Sequence, residues 1–496
     1  MPNLSPPPAP GPRPDLIISG RRVVTRNGIH AAAVHIRSGQ IIAVIDLPDV
    51  RPAERTAMPG DPRSAGPDGK AARPSPPARS NPHARSDPHA RSNIPPPHIT
   101  LPDDEVLLPG LVDTHVHINE PGRTHWEGFA TATRAAAAGG VTTVIDMPLN
   151  SLPPTIDVAA LEAKRQAAAG QCAVDVGFWG GAVPANLTAR LALHAAGVFG
   201  FKCFTVDSGV PEFPPLDDSG LAAAIRQTAE LGSLLLVHAE AAACIARAPA
   251  PAGPDYAAFL RSRPAAAETT AIARVIELAR QTGARVHVVH LSSADAVPLI
   301  AAAQADGVAI TAETCPHYLA LAAEQISVGA TQFKCCPPIR DLANQDRLWA
   351  ALGAGVIGCV VSDHSPCPPG LKRLDAGDFG AAWGGISSVQ LGLPVIWTQA
   401  RVRGHDLADV ARWMAVGPAR LVGLDRKGAI APGHDADLTA FAPEERFVVA
   451  PGQLMTRHRL TPYSGSELTG AVRRTWLRGA AVAADQPTGR LLTRQC

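Results

Sequence analysis

The chain has no run of 18 apolar residues, the length a membrane-spanning helix needs. Its start, Met1-Pro-Asn-Leu-Ser-Pro-Pro-Pro, lacks a basic stretch followed by an apolar one. Neither a membrane anchor nor a secretory leader is therefore expected, and the expected location is cytoplasmic. Net charge is nearly absent too: +1 at pH 7, with a pI near 7.7. That removes any general electrostatic reason to bind nucleic acid or an anionic membrane, and a small neutral ligand is the more natural partner. The nine cysteines are odd in number, and none, including Cys335-Cys336, has zinc-finger spacing. They read as reduced thiols rather than a disulfide framework.

What is present is apolar sequence in quantity, enough over 496 residues for a large catalytic unit and a smaller companion. Residues 1–14 are Pro-rich and read as a disordered tail. Residues 15–49 carry short β-type runs broken at Asn27-Gly28 and Ser38-Gly39, both hairpin signals, and predict a small antiparallel sheet. Residues 50–99 hold twelve prolines, no aromatic residue and a near-repeat of Ala-Arg-Ser-Asn/Asp-Pro-His. Such a segment buries too little apolar surface to offset its ordering entropy, so it reads as a disordered insertion with His83, His89 and His98 in a solvated linker. Residues 100–108 lead into a series of strand-like runs and Ala-rich helical stretches over 109–425. Beyond 426, β-type runs return up to residue 496, and these are expected to complete the N-terminal sheet.

The alternating series gives candidate strands at 111–116, 141–147, 174–180, 198–204, 233–239, 285–291, 307–314 and 357–363. Eight strands over roughly 260 residues predict a (β/α)8 TIM barrel, with a small β-sandwich domain formed from both chain ends. The first helix is expected over Glu127–Ala138, ending at Gly139-Gly140.

His115 and His117 end the first strand. Side chains at i and i+2 of a strand share a face, so the pair can hold one ion. Taken alone, a His-x-His pair is more often half-buried and satisfied by hydrogen bonds. Here Lys202, His238, His290 and Asp363 also fall in or just after the fourth, fifth, sixth and eighth strands, and a barrel gathers those strand ends at one mouth. Each residue alone has a bland reading as a loop cap. Six together at one rim favour a metal centre. Lys202, in Gly-Phe-Lys-Cys-Phe, would be a costly buried ammonium beside cations. A neutral amine that has taken up CO2 becomes an anionic carbamate, which suits two bridged ions. His287 is less terminal than His290 and reads as packing.

These residues carry a resemblance. Pro109-Gly-Leu-Val-Asp-Thr-His-Val-His-Ile-Asn-Glu-Pro-Gly-Arg-Thr-His-Trp-Glu-Gly-Phe, Asp146-Met-Pro-Leu-Asn, His238-Ala-Glu, His290-Leu-Ser-Ser, Cys315-Pro-His-Tyr-Leu, Phe333-Lys-Cys-Cys-Pro-Pro-Ile-Arg and Ser362-Asp-His-Ser-Pro-Cys resemble the cyclic amidohydrolases. That group contains dihydroorotase, hydantoinase or dihydropyrimidinase, and allantoinase. Trp383-Gly-Gly-Ile-Ser-Ser and Leu460-Thr-Pro-Tyr are similar to the allantoinase branch. The resemblance covers residues 15–495 apart from 50–99. It implies one divalent ion on His115, His117, carboxylated Lys202 and Asp363, and a second on the same carbamate with His238 and His290. Zinc fits this donor set best, with iron, manganese or cobalt as alternatives. It also implies a homotetramer, and Asp363 as both ligand and proton carrier.

Two positions separate the activities. Dihydroorotases usually place an arginine two residues after the second histidine to hold a substrate carboxylate; Asn119 stands there. Hydantoinases usually place a tyrosine five residues after the bridging lysine; Asp207 stands there. The expected reaction is therefore hydrolysis of (S)-allantoin to allantoate, with Asn119 and Asn150 as candidate contacts to the ureide and ring amides. The alternatives are dihydropyrimidinase, hydantoinase or dihydroorotase activity, or a non-catalytic dihydroorotase-like scaffold, although scaffolds typically lose metal ligands.

Overall fold

A computed structural model describes residues 13–48, 95–483 and 486–494. The expected disorder of residues 1–12 and 50–94 concerns stretches outside these. The barrel strands are Leu111–Val116, Val141–Asp146, Asp175–Phe178 with Gly180–Gly181, Phe201–Phe204, Leu234–His238, Arg285–Val288, Ile310–Thr314 and Cys359–Val360. All pair in parallel, and almost every residue in them is buried, as expected of strands covered on both faces.

The third strand changes neighbours at its middle. Trp179 N donates to Asp146 O, and the next amide, Gly180 N, donates to Gly200 O. Closure comes from a parallel bridge between Val116 and His364, with His117 N donating to His364 O at 2.7 Å. The side chain of Asp113 reinforces that seam by accepting from Ser362 N at 3.1 Å.

Several helices of the outer ring start where an aspartate can cap them. Asp157, Asp217, Asp341 and Asp406 each accept from the amide three residues on, which satisfies one of the donors a helix start leaves open. The first helix is Phe129–Ala138, two residues shorter than expected. Gly128 has φ 115°, outside the helical region, and Glu120 rather than a preceding carbonyl takes the Phe129 amide.

The chain ends build one continuous sheet of eight strands. Leu16–Thr25, Gly28–Arg37 and Gln40–Asp46 form an antiparallel meander. Val106–Pro109 lies parallel to the first of these and antiparallel to Leu438–Val448, so it joins the N-terminal strands to the C-terminal hairpin. The sheet is thus mixed rather than purely antiparallel. His98–Thr100 also belongs to it, parallel to Ile17–Ser19. Residues 98 and 99 of the expected linker are therefore strand, and the His98 ring hydrogen-bonds Ser19 Oγ at 2.8 Å.

A buried charge cluster fastens sheet to barrel. Lys427 Nζ lies 2.7 Å from Asp175 at the start of the third barrel strand and 2.6 Å from Asp437, just before the sheet strand Leu438–Val448, and Arg478 also binds Asp175. No helix among the described residues is long and apolar enough to cross a membrane.

Candidate active site

His115, His117, Lys202, His238, His290 and Asp363 all line one cavity of about 450 Å³ at the C-terminal ends of the barrel strands. The first two follow from strand alternation. His290 and Asp363 lie just beyond their strands with left-handed backbones, φ 39° and 44°. Non-glycine residues rarely accept such a conformation, and it is held here by the barrel around them.

Two groups of donor atoms face each other. His115 Nε2 and His117 Nε2 lie 3.1 and 3.6 Å from Asp363 Oδ1. His238 Nδ1 lies 3.0 Å from His290 Nε2. Nitrogen and oxygen ligands about 2.0–2.1 Å from one tetrahedral ion lie roughly 3.3–3.4 Å apart, so all three spacings are close to those a shared cation sets. Burial pushes the His117 and His290 rings well below the ordinary histidine range and His238 down to about 4, so all three are neutral ligands at pH 7. Burial raises Asp363, an effect that His115 and Lys202 partly offset.

Lys202 Nζ has no hydrogen-bond acceptor among the described residues; its neighbour is the Phe204 ring, 5.0 Å away. Burial lowers its pKa to about 8, so a neutral amine is within reach at physiological pH.

Behind the donors stands a layer that sequence reasoning did not assign. Glu313 takes His115 Nδ1 on one oxygen at 2.5 Å and His287 Nε2 on the other at 2.9 Å. Glu240 takes His238 Nε2 at 2.7 Å and is held in turn by Arg263. His117 Nδ1 is 3.2 Å from Leu149 O. These bonds fix which ring nitrogen is left to face the cavity. A signal existed for one of them: His238-x-Glu240 has the i, i+2 spacing already used for His115 and His117. His287 lies off the cavity, hydrogen-bonded to Glu313 and Thr311.

Of the two candidate amide contacts, Asn150 lines the cavity and Asn119 does not. The Asn119 backbone is left-handed, φ 67°, and its side-chain amide turns to Pro366 O at 3.4 Å. Asp207 and Trp383 are on the wall, whereas none of the three tyrosines, Tyr256, Tyr318 and Tyr463, is.

A model of the amidohydrolase family matches residues 106–482, and the chain belongs to that family. Its similarities within the family are narrower. It is 59% identical over 396 residues to the allantoinase of Streptomyces avermitilis, covering 79% of this chain and 88% of that protein. It is 50% identical over 382 residues to the allantoinase of Saccharomyces cerevisiae, covering 76% and 82%. The L-hydantoinase (dihydropyrimidinase) of Arthrobacter aurescens superposes with a TM-score of 0.81 at 28% identity, covering 97% of this chain and 100% of that one. Family and neighbours together point to a divalent metal centre and a small-molecule substrate.

Proposed function

We propose that this chain is an allantoinase, opening the hydantoin ring of (S)-allantoin to give allantoate. The observation that carries the choice is the cavity wall: Asp207 rather than a tyrosine follows Lys202, no tyrosine reaches the cavity, and the relatives at 50–59% identity are allantoinases. His115, His117 and Asp363 would hold one ion, His238 and His290 the other, with a carbamate on Lys202 between them and zinc as the best match to the donors. The isolated Lys202 amine supports that modification, in which its nitrogen adds CO2 and releases a proton. When bound, such ions polarise the scissile carbonyl and acidify the attacking water.

The chain's own part is positional and protonic. Asp363, 3.1 Å from His115 Nε2, accepts the proton of the attacking water and delivers it to the ring nitrogen as the C–N bond breaks. Asn150 is placed to meet an amide of the substrate. A cytoplasmic homotetramer is part of the same reading.

Rates for allantoin, hydantoin, dihydrouracil and dihydroorotate on one metal-loaded sample test it. Asn119 supplies no cation for a carboxylate, so allantoin should exceed dihydroorotate in kcat/KM by at least about tenfold, about 1.4 kcal/mol of transition-state binding. Equal or reversed preference returns the assignment to dihydroorotase.

A further inference from the structure

Arg123 takes no part in the metal centre, yet it ties together the loops that form the cavity mouth. Its Nη1 donates to Asn150 O at 2.7 Å and to Glu212 Oε1 at 2.5 Å. Its guanidinium carbon lies 5.3 Å from the centre of the Trp126 ring. Trp126 meets Trp383 edge to face, with centroids 5.2 Å apart. Trp383 closes the circuit, because a Cβ on Gly209 would lie 3.6 Å from its ring. Three loops, around residues 123, 209 and 383, are thereby linked in a ring to which Arg123 also ties the loop around 150, and Asn150, Gly209 and Trp383 line the cavity.

The loops around residues 123 and 150 are also pressed together at the backbone. Leu152 N donates to Pro121 O at 2.9 Å. Gly122, at φ 84°, packs so closely that a Cβ there would lie 2.4 Å from Leu152 Cβ and 2.7 Å from Leu152 O. Arg123 and Glu212 are largely covered, with 17% and 19% of their side chains exposed, so their pairing is shielded from water more than a surface ion pair is. A planar guanidinium can donate to two acceptors from one nitrogen while its flat face stacks on an indole; a lysine ammonium can donate twice but has no planar face to stack.

We infer that Arg123 is a positioning residue for substrate binding: it holds the Asn150 loop and the Glu212 loop at one fixed separation, and through Trp126 it sets Trp383 over the mouth. It touches neither metal donors nor reacting atoms. Its loss therefore loosens the wall that grips the part of the substrate facing solvent and leaves the chemistry at Asp363 intact. This rests on the proposed allantoinase activity.

The experiment compares wild type, Arg123→Gln, Arg123→Lys and Glu212→Gln as full-length, metal-loaded proteins, with allantoin and with hydantoin, the same ring without the ureide tail. Expected for Arg123→Gln is a rise in KM for allantoin of about tenfold or more, with kcat within about threefold of wild type and unchanged metal content. Arg123→Lys, which keeps the charge but not the fork, should recover part of the loss, and Glu212→Gln should reproduce part of it. Hydantoin KM should move much less. Quenching of tryptophan fluorescence by allantoin should shift to higher concentration in parallel with KM.

An unchanged allantoin KM in both Arg123→Gln and Glu212→Gln overturns the inference, as does a fall in kcat with KM constant or an equal effect on hydantoin. If Arg123→Gln does not fold, Glu212→Gln alone decides. Wild type inactive on allantoin would instead overturn the function on which the inference rests.

Discussion

Glu313 Oε1 meets His115 Nδ1 at 2.5 Å, and the other nitrogen of that ring, Nε2, lies 3.1 Å from Asp363 Oδ1. The ring is thus held from behind by one carboxylate while it presents its second nitrogen to the site. Burial opposes the charge on Glu313, but His115 and His287 outweigh it and keep the carboxyl well below its usual range. A buried anion behind a ligand raises the ligand's basicity and fixes its tautomer.

Glu313→Ala should therefore weaken metal binding by about 10- to 100-fold, the cost typical of losing such a support. Glu313→Gln keeps an oxygen for His115 Nδ1 and should weaken it less. Chelator competition followed by metal analysis measures both. Equal affinity in Glu313→Ala and wild type would show that His115 needs no support.

How much of this was legible in the sequence depends on the kind of signal. The eight strands were readable because each is buried on both faces and so appears as a short apolar run. The six ligand candidates were readable because they are polar residues at the ends of those runs. Glu313, by contrast, reaches His115 only because barrel closure brings the side chains of the seventh and first strands together across the eighth, a relation that spacing along the chain does not give. The mixed sheet was missed for a similar reason. His98–Thr100 follows a Pro-rich stretch, and its pairing with Ile17–Ser19 is a contact between distant segments that composition does not reveal. Asn119 was singled out from its place after His117; its left-handed backbone and the turn of its amide to Pro366 belong to the folded loop and not to the spacing.

The low-complexity stretch gives a second prediction, bounded by the sheet. Because His98–Thr100 is a paired strand, a deletion should stop before it. Replacing residues 52–94 with a short Gly/Ser bridge should leave soluble yield and kcat/KM close to wild type, since twelve prolines and no aromatic residue over 50–99 give no basis for a core. Loss of soluble protein or of most activity would show that the stretch packs or binds.

Glu240 provides a pH test on the metal-free protein. Burial raises its pKa, but Arg263 and His238 more than reverse this and bring it down to about 2, from an ordinary value of 4.5. A depressed carboxyl contributes stability that is fully present above the unfolded value and is lost as pH falls through the folded one. Glu240 should then supply up to about 3 kcal/mol above pH 4.5 that disappears toward pH 2. Denaturant unfolding of wild type and Glu240→Gln across pH 2–5 should show a steeper acid loss in wild type, with the two curves converging at the acid end. Parallel curves would mean that Glu240 is not stabilised in the folded state.

The last prediction separates Lys202 from Asp363. If Lys202 carries the bridging carbamate, Lys202→Ala removes a donor shared by both ions. Content of both metals should fall and activity should vanish, while added short carboxylic acids restore some turnover by occupying the space. Asp363→Asn keeps an oxygen 3.1 Å from His115 Nε2 but cannot take a proton from the attacking water. Its metal content should be partly retained, and kcat should fall by roughly 10² to 10⁴, the range for loss of a general acid or base. The two variants would thus both be poor enzymes yet differ in bound metal. Near-normal kcat in a metal-replete Asp363→Asn would remove Asp363 as the proton carrier. His317 would then be the next residue to substitute, since both of its ring nitrogens are buried without a hydrogen-bond partner, and Cys315 and Asp363 lie within 4.8 Å of it.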